Sequence, residues 1–508
     1  MPSKVSSAAT IGLDSQRVDV EVDVLSAGLH NFTIVGLPDT AIKESRDRVS
    51  SAIKNSGFKP PHQCGRITVN LAPADLPKLS PIYDVPIALG FLLATGQLSE
   101  SLQNKLFIGE LALDGTARAV QGVLPIAIFA KESGIAELYV PQENAAEASI
   151  VRGLTILPID SLFTLAKHFL GKQTISPYKA PRKRMTEVTT PLRYDMAHIK
   201  GQEHAKRALE ISAAGGHNTL FSGPPGSGKT LLAKAFASIL PSLTREESIE
   251  ITRIYSVAGK LRKSDHLITE RPFRAPHHSA SAVALIGGSS HPRPGEISLA
   301  HRGVLFLDEF AEFPRNVLEN LRQPLEDGIV TVSRAKGTLE FPAHFTLVAA
   351  MNPCACGNAT DAERLCSCTP SQIQRYRQKI SGPILDRIDI HVDVPRLKFD
   401  KLTEQKTSEG SATIRMRIEK ARAIQRRRFK NLPFLTNTEM GVEDLKKFCT
   451  LNSDCMELLR MAVTTLHLSA RAYHRLIKVA RTIADLAGEQ QIQKTHVAEA
   501  IQYRFKTE

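Results

Sequence analysis

The 508-residue sequence contains no tryptophan, and aromatic residues make up only 6% of it. That scarcity decides nothing about function, but other absences do. No run of about 18 uncharged apolar residues occurs, which excludes a transmembrane helix of ordinary length. The opening MPSKVSSAATIGLDSQ lacks the apolar centre of a secretory signal, so a cytoplasmic protein is expected. Cysteine is sparse and odd in number, seven in all, with four packed between 354 and 368. That pattern argues against a disulfide framework and for reduced thiols.

What is present fits a globular chain of roughly three domains, with 42% apolar and 23% charged residues. The net charge of +13 is unevenly spread: residues 1–170 carry −3, residues 171–194 carry +5 and residues 396–508 carry +9. Such asymmetry favours a polyanionic partner over a basic surface kept for solubility.

Periodicity divides the chain. Residues 1–170 alternate strand-like runs (VDVEVDV, FTIVGL, RITVNLAP, ELYVP) with helix-like ones (AIKESRDRVSSAIKNSG, DVPIALGFLLATG), an α/β unit with its own core. Residues 171–193, rich in Pro, Ser, Thr and basic side chains, read as a linker. Residues 194–395 hold three apolar strand candidates, HNTLFSG, GVLFLDE and FTLVAAMNP. Beyond Pro395, over residues 396–508, the pattern is helical and basic.

GPPGSGKT, Gly223 to Thr230, fits G-x-x-x-x-G-K-[ST] between an apolar strand and a helix. Gly223, Pro224, Pro225, Gly226, Ser227 and Gly228 form a loop whose backbone N–H groups can turn towards phosphates, aided by the helix N-terminus. Lys229 is then expected to reach the β and γ phosphates, and the Thr230 hydroxyl to ligate Mg²⁺. In GVLFLDEF, Asp308 is positioned to hold the same Mg²⁺ through water and Glu309 to act as general base on the attacking water. Asn352, ending the next apolar strand, can position that water. Turnover of ATP is therefore expected, not binding alone.

CACGNATDAERLCSC places Cys354, Cys356, Cys366 and Cys368 as C-x-C-x9-C-x-C. Four soft sulfurs can close on one ion, and zinc in a structural role is expected; free thiols or a redox pair are the alternative. Cys64, Cys449 and Cys455 read as ordinary buried thiols.

The order GPPGSGKT, GVLFLDEF, VAAMN, GPILDRID and LSARAYHR resembles AAA+ ATPases of the magnesium-chelatase-like clade, and RPFRAPHHSASAVALIGGSSHPRPGEISLAHRGVLFLDEF resembles the ComM/YifB family within it. The resemblance spans essentially the whole chain. It implies a P-loop AAA+ parallel-sheet core with an α-helical lid, Asn352 as sensor 1, Arg387 as an arginine finger reaching a neighbouring subunit's γ phosphate, and Arg471 as sensor 2. A finger acting between subunits implies a ring, a homo-hexamer.

The same resemblance places FRAPHHSASAVALIGG and IVTVSRAKGTLEF at the helix-2 insert and the pre-sensor-1 hairpin, which face the central pore in that clade. Arg334 and Lys336 at the hairpin tip are then expected to contact DNA phosphates. His277 and His278 either help there or are structural. Arg426, Arg427 and Arg428, with Lys430, on a helix also carrying Arg415, Arg417, Lys420 and Arg422, form the densest basic patch. They are read as a DNA track, with a solvated helix face as the alternative.

The front domain resembles the proteolytic domain of Lon, a ribosomal S5 domain 2-like α/β fold. Where Lon carries its serine and lysine, this sequence has Tyr83 or Asp84 and Pro125, so a non-proteolytic scaffold is expected, with Ser80 the residual candidate. The family resemblance implies a helicase or branch-migration enzyme of natural transformation, using ATP, Mg²⁺ and zinc on single-stranded, forked or branched DNA. A metal-insertion ATPase, an ATP-dependent protease or unfoldase, and a nucleotide-switched DNA clamp are the rivals. The chelatase ATPase subunit is not expected to carry the Lon-like front domain.

Overall fold

The structure is a computed structural model that describes residues 2–25, 29–36, 40–76, 78, 81–179, 194–262, 266–288, 293–334, 337–361, 363–397 and 409–504. It divides into two compact units. One comprises the described residues of Met1–Thr186, Arg245–Ile268 and Ser290–Arg293; the other those of Glu187–Thr244, Thr269–Ser289 and Pro294–Glu508.

In the first unit a four-stranded sheet runs Ser3–Ile11, Asp14–Leu25, Arg66–Ala72, Asn31–Val35, antiparallel except for its last pair. Alternation along Asp14–Leu25 drives this: Val18, Val20 and Val22 are fully buried while Asp19 and Glu21 point the other way. The helix Asp84–Ala94 is buried on almost every side, as its nearly uncharged sequence requires. A parallel three-stranded sheet, Lys105–Phe107, Glu137–Pro141 and Thr155–Ile159, completes the α/β unit.

The helix Arg245–Val257 corrects the division read from sequence, which assigned it to residues 194–395. It packs with the front unit because its polar groups find partners there: the Ser256 hydroxyl bonds to the buried Glu147 carboxylate, and Arg253 donates to the Leu13 carbonyl and pairs with Asp14.

The second unit holds a five-stranded, all-parallel sheet in the order Phe273–Arg274, Val304–Leu307, Thr346–Met351, Thr219–Ser222, Ile390–Asp393. Val304–Leu307 is buried at every residue, the uninterrupted apolar run expected of a parallel strand covered on both faces. The C-terminal ends of its central strands carry Gly223, Asp308 and Asn352, where open α/β sheets bind ligands. An antiparallel hairpin, Ile329–Arg334 with Gly337–Pro342, precedes the strand Thr346–Met351.

After Pro395 the described residues contain helices and no strand: Ser411–Arg428, Val442–Phe448, Ser453–Thr465, Ala470–Ala487 and Lys494–Gln502. Ile414, Ile418, Ala421 and Gln425 form the buried stripe of the first. Among the described residues no helix is long and apolar enough to cross a membrane.

Candidate functional site

The strand Thr219–Ser222 turns into the helix Lys229–Ile239 through a loop in which Gly226 (φ +76°) and Gly228 (φ +94°) adopt left-handed conformations closed to most side chains. Lys229 folds back over that loop, donating to the carbonyls of Gly223 (2.7 Å) and Pro224 (2.9 Å) and to Asn352 Oδ1 (3.3 Å). Burial lowers its pKa, with Asp308 opposing the shift. The Ser227 hydroxyl is buried and has no hydrogen-bond partner among the described residues, a polar atom open to an incoming ligand.

Thr230 Oγ1 donates to Asp308 Oδ2 at 2.8 Å. Octahedral Mg²⁺, with metal–oxygen bonds of about 2.1 Å, holds neighbouring oxygens about 3.0 Å apart, so this pair of oxygens suits the coordination sphere of such an ion. Glu309 follows at φ +51°, and its carboxylate meets His278 Nδ1 at 2.8 Å. The structure thus gathers Lys229, Thr230, Asp308 and Asn352 around one loop and ties Glu309 to the segment after the strand Phe273–Arg274.

Arg387 and Arg471 converge elsewhere. Both guanidiniums bond to the Glu326 carboxylate, Arg471 at 2.6 Å, and Arg387 also donates to the Pro383 carbonyl. Burial works against the Glu326 charge, but the two arginines hold its pKa below the ordinary value. Among the described residues neither arginine bonds to a group of the phosphate loop. Behind them Arg475 pairs with the buried Asp389 at 2.6 Å. Burial opposes that charge too, yet Arg475 and His217 keep the Asp389 carboxyl well below the usual carboxylate range.

A cavity of about 570 Å³ opens beside the loop, lined by Ile199, Gln202, Gly226, Leu231, Glu363 and Leu397 among others. Sequence reasoning missed it. Its only sequence signal is the apolar Ile199 among polar neighbours, in a stretch whose composition resembles the linker before it. An apolar wall continuous with a phosphate loop suits a nucleobase and ribose.

The four cysteines come together. Their sulfurs all lie within 4.8 Å of one another, with Cys354, Cys356 and Cys366 separated by 3.4 to 3.7 Å. A tetrahedral tetrathiolate with Zn–S bonds of about 2.3 Å has sulfur–sulfur edges of about 3.8 Å, so the set fits zinc. Backbone N–H groups of Asn358 and Ser367 bring the Cys356 thiol down to about 5. Cys449 and Cys455 are buried and Cys64 half-buried.

The basic helix Ser411–Arg428 is less free than its sequence suggests. Arg428 turns inward to Asp485, which is fully buried, and to Asn437, so its reading as a DNA contact is corrected to a structural one. Arg417 pairs with Glu210 and Glu409, while Arg415 and Arg422 donate to the carbonyls of Ser238 and Ala213. Arg426, Arg427 and Lys430 are exposed. The Arg334 backbone lies in the hairpin; its side chain and Lys336 fall outside the described residues.

In the front unit Asp84, which stands where a nucleophile would align, is fully buried, ion-paired to Arg48 at 2.8 Å and bonded by the Leu111 N–H. Tyr83 is buried beside it, and burial pushes its phenol above the ordinary value. Pro125 is buried in the helix Val123–Glu132. Ser80 lies outside the described residues.

Three family models match the chain: "Magnesium chelatase, subunit ChlI" over residues 195–402, "Subunit ChlI of Mg-chelatase" over 20–144 and "Magnesium chelatase, subunit ChlI C-terminal" over 408–504. The chain is similar to competence protein ComM of Haemophilus influenzae, 45% identical over 503 residues, 98% of this chain and 97% of that protein. It is similar to YifB of Salmonella typhimurium, 43% identical over 505 residues, 98% and 96% of the two chains. The magnesium-chelatase 38 kDa subunit of Chlorobaculum tepidum is 24% identical over 324 residues, 56% of this chain and 78% of that protein.

Proposed function

The chain belongs to the ComM/YifB family of magnesium-chelatase-like AAA+ ATPases, and from that premise we propose that it is an ATP-driven DNA motor, a hexameric helicase or branch-migration enzyme acting on recombination intermediates in natural transformation. Membership implies ATP and Mg²⁺. The observation that carries the reading is the convergence of Lys229, Thr230, Asp308 and Asn352 on one loop while Arg387 and Arg471 are held away on Glu326. Such an arrangement is a half-site that lacks its own arginines.

ATP enters with its base in the cavity beside Ile199 and Leu231 and its phosphates on the loop amides. Lys229 exchanges the Gly223 and Pro224 carbonyls for phosphate oxygens. Thr230 and Asp308 would hold Mg²⁺, which would supply charge neutralisation to the bound triphosphate. Glu309 takes a proton from the attacking water, which Asn352 orients, and Arg387 of a neighbouring protomer meets the charge that develops on the γ phosphate. The competence role named for the Haemophilus influenzae relative, the hairpin Ile329–Pro342 and the exposed Arg426 and Arg427 support DNA as the load. A cytoplasmic location is part of the same reading.

ATP turnover measured with forked DNA, with unfolded protein and with a porphyrin tests this. Stimulation by DNA that weakens with salt supports the motor, whereas stimulation by either other ligand alone overturns it.

A further inference from the structure

The four-cysteine loop is usually the kind of feature that braces a fold far from chemistry, but here the segment between its two cysteine pairs forms part of the wall of the nucleotide cavity. It follows Asn352 directly at the end of the strand Thr346–Met351 and leads into the helix Pro370–Arg377. Two contacts tie that segment to the site, one on the phosphate loop and one in the cavity wall.

The first is Gly357, at φ +84°. A β-carbon there would sit 2.6 Å from Pro225 Cδ and 3.9 Å from Asn352 Cγ, so the glycine backbone packs directly on the phosphate loop and close to Asn352. The second is the acidic pair Asp361 and Glu363. Asp361 Oδ2 lies 3.5 Å and Glu363 Oε2 3.9 Å from Arg396 Nη1, and both Glu363 and Arg396 line the cavity. The Asp361 side chain is only 1% exposed, so this contact is built into the wall.

Gly357, Asp361 and Glu363 all lie between Cys356 and Cys366, whose sulfurs are 3.5 Å apart. Whatever joins those sulfurs closes the segment into a short loop and removes its freedom to leave the phosphate loop. We propose that the four cysteines bind one thiophilic divalent ion of the zinc class, and that this ion sets nucleotide affinity by holding Gly357 on Pro225 and Asp361 and Glu363 on Arg396. The inference rests on reading the cavity as the ATP site. It extends that reading by making one wall of the site metal-dependent.

The test uses the full chain. Elemental analysis should find one zinc per chain, and affinity for a fluorescent ADP analogue should fall at least tenfold when a chelator removes the metal. Zinc should restore it, and magnesium should not. Zinc retained but irrelevant to nucleotide affinity, or no zinc bound, overturns the proposal. Zinc-loaded protein that fails to bind the nucleotide at all overturns the ATP reading itself, a separate failure.

Cys366→Ser should lose both metal and affinity. In case that variant fails to fold, Gly357→Ala keeps all four sulfurs and should retain one zinc while its nucleotide affinity drops several-fold, because the added methyl pushes against Pro225. Wild-type affinity in metal-loaded Gly357→Ala contradicts the proposed contact.

Discussion

His278 Nδ1 lies 2.8 Å from an Oε of Glu309, the carboxylate read as the general base. The histidine belongs to the segment between the strand Phe273–Arg274 and the helix Ala282–Ile286, next to the strand that ends in Asp308. On the proposed reading a base engaged by a neighbouring ring would be less available to a water, so this contact would restrain idle hydrolysis. His278→Ala should raise ATP turnover without DNA a few-fold and shrink the ratio of DNA-stimulated to basal rate. Equal loss of both rates would assign His278 to supporting catalysis. Glu309→Gln should still bind nucleotide while losing about 100-fold or more in turnover.

Glu326 gathers Arg387 and Arg471 within one protomer. If Arg387 serves a neighbour's site, its removal and that of Lys229 damage opposite sides of an interface. Lys229→Ala and Arg387→Ala proteins, each inactive alone, should regain measurable turnover when mixed, because some interfaces then pair an intact loop with an intact arginine. Rates in the mixture no higher than the sum of the two alone would place Arg387 in a structural role.

The three consecutive arginines should separate by experiment. Arg428 pairs with the fully buried Asp485 carboxylate, which Arg481 at 3.0 Å and Asn437 at 2.8 Å also engage, so its removal costs one charged hydrogen-bonded contact, about 2 kcal/mol, and leaves no buried charge unpaired. Arg428→Ala should therefore lower the melting temperature by several degrees. Arg426→Ala with Arg427→Ala should leave it unchanged, weaken DNA binding and flatten its salt dependence. DNA affinity insensitive to that double change would remove these two residues from the DNA track.

Burial depresses His391 from 6.5 to about 4, aided by the nearby Arg504 and opposed by Asp389. A folded-state value below the unfolded one means that the unfolded chain takes up the proton first, so stability is lost as pH falls below 6.5, with the loss continuing to about 4. His217, also lowered by burial, acts in the same direction. Denaturant midpoints should decline between pH 7 and 5 in the wild type and less steeply in His391→Gln. A flat wild-type profile would contradict the burial of neutral imidazoles.

Much of the candidate nucleotide site is legible because its signals are local. A phosphate loop needs closely spaced glycines and a lysine, and two central strands announce themselves as apolar runs followed by Asp308 or Asn352. The cysteine cluster is equally readable, since all four thiols lie within one loop. What stayed hidden depends on partners distant in sequence. Nothing near Arg428 reveals that Asp485 awaits it, and nothing near Arg245–Val257 reveals its partner Glu147, 109 residues before Ser256. The meeting of Arg387 and Arg471 on Glu326, and the wall formed by Ile199, Glu363 and Leu397, likewise exist only once the chain has closed on itself.

A labelled three-stranded junction offers the most direct measurement. With ATP and Mg²⁺ the wild-type protein should displace the labelled strand as a ring assembled on DNA, and Lys229→Ala should not. A wild-type protein that hydrolyses ATP at the same rate with and without the junction, and leaves every strand in place, would contradict the account.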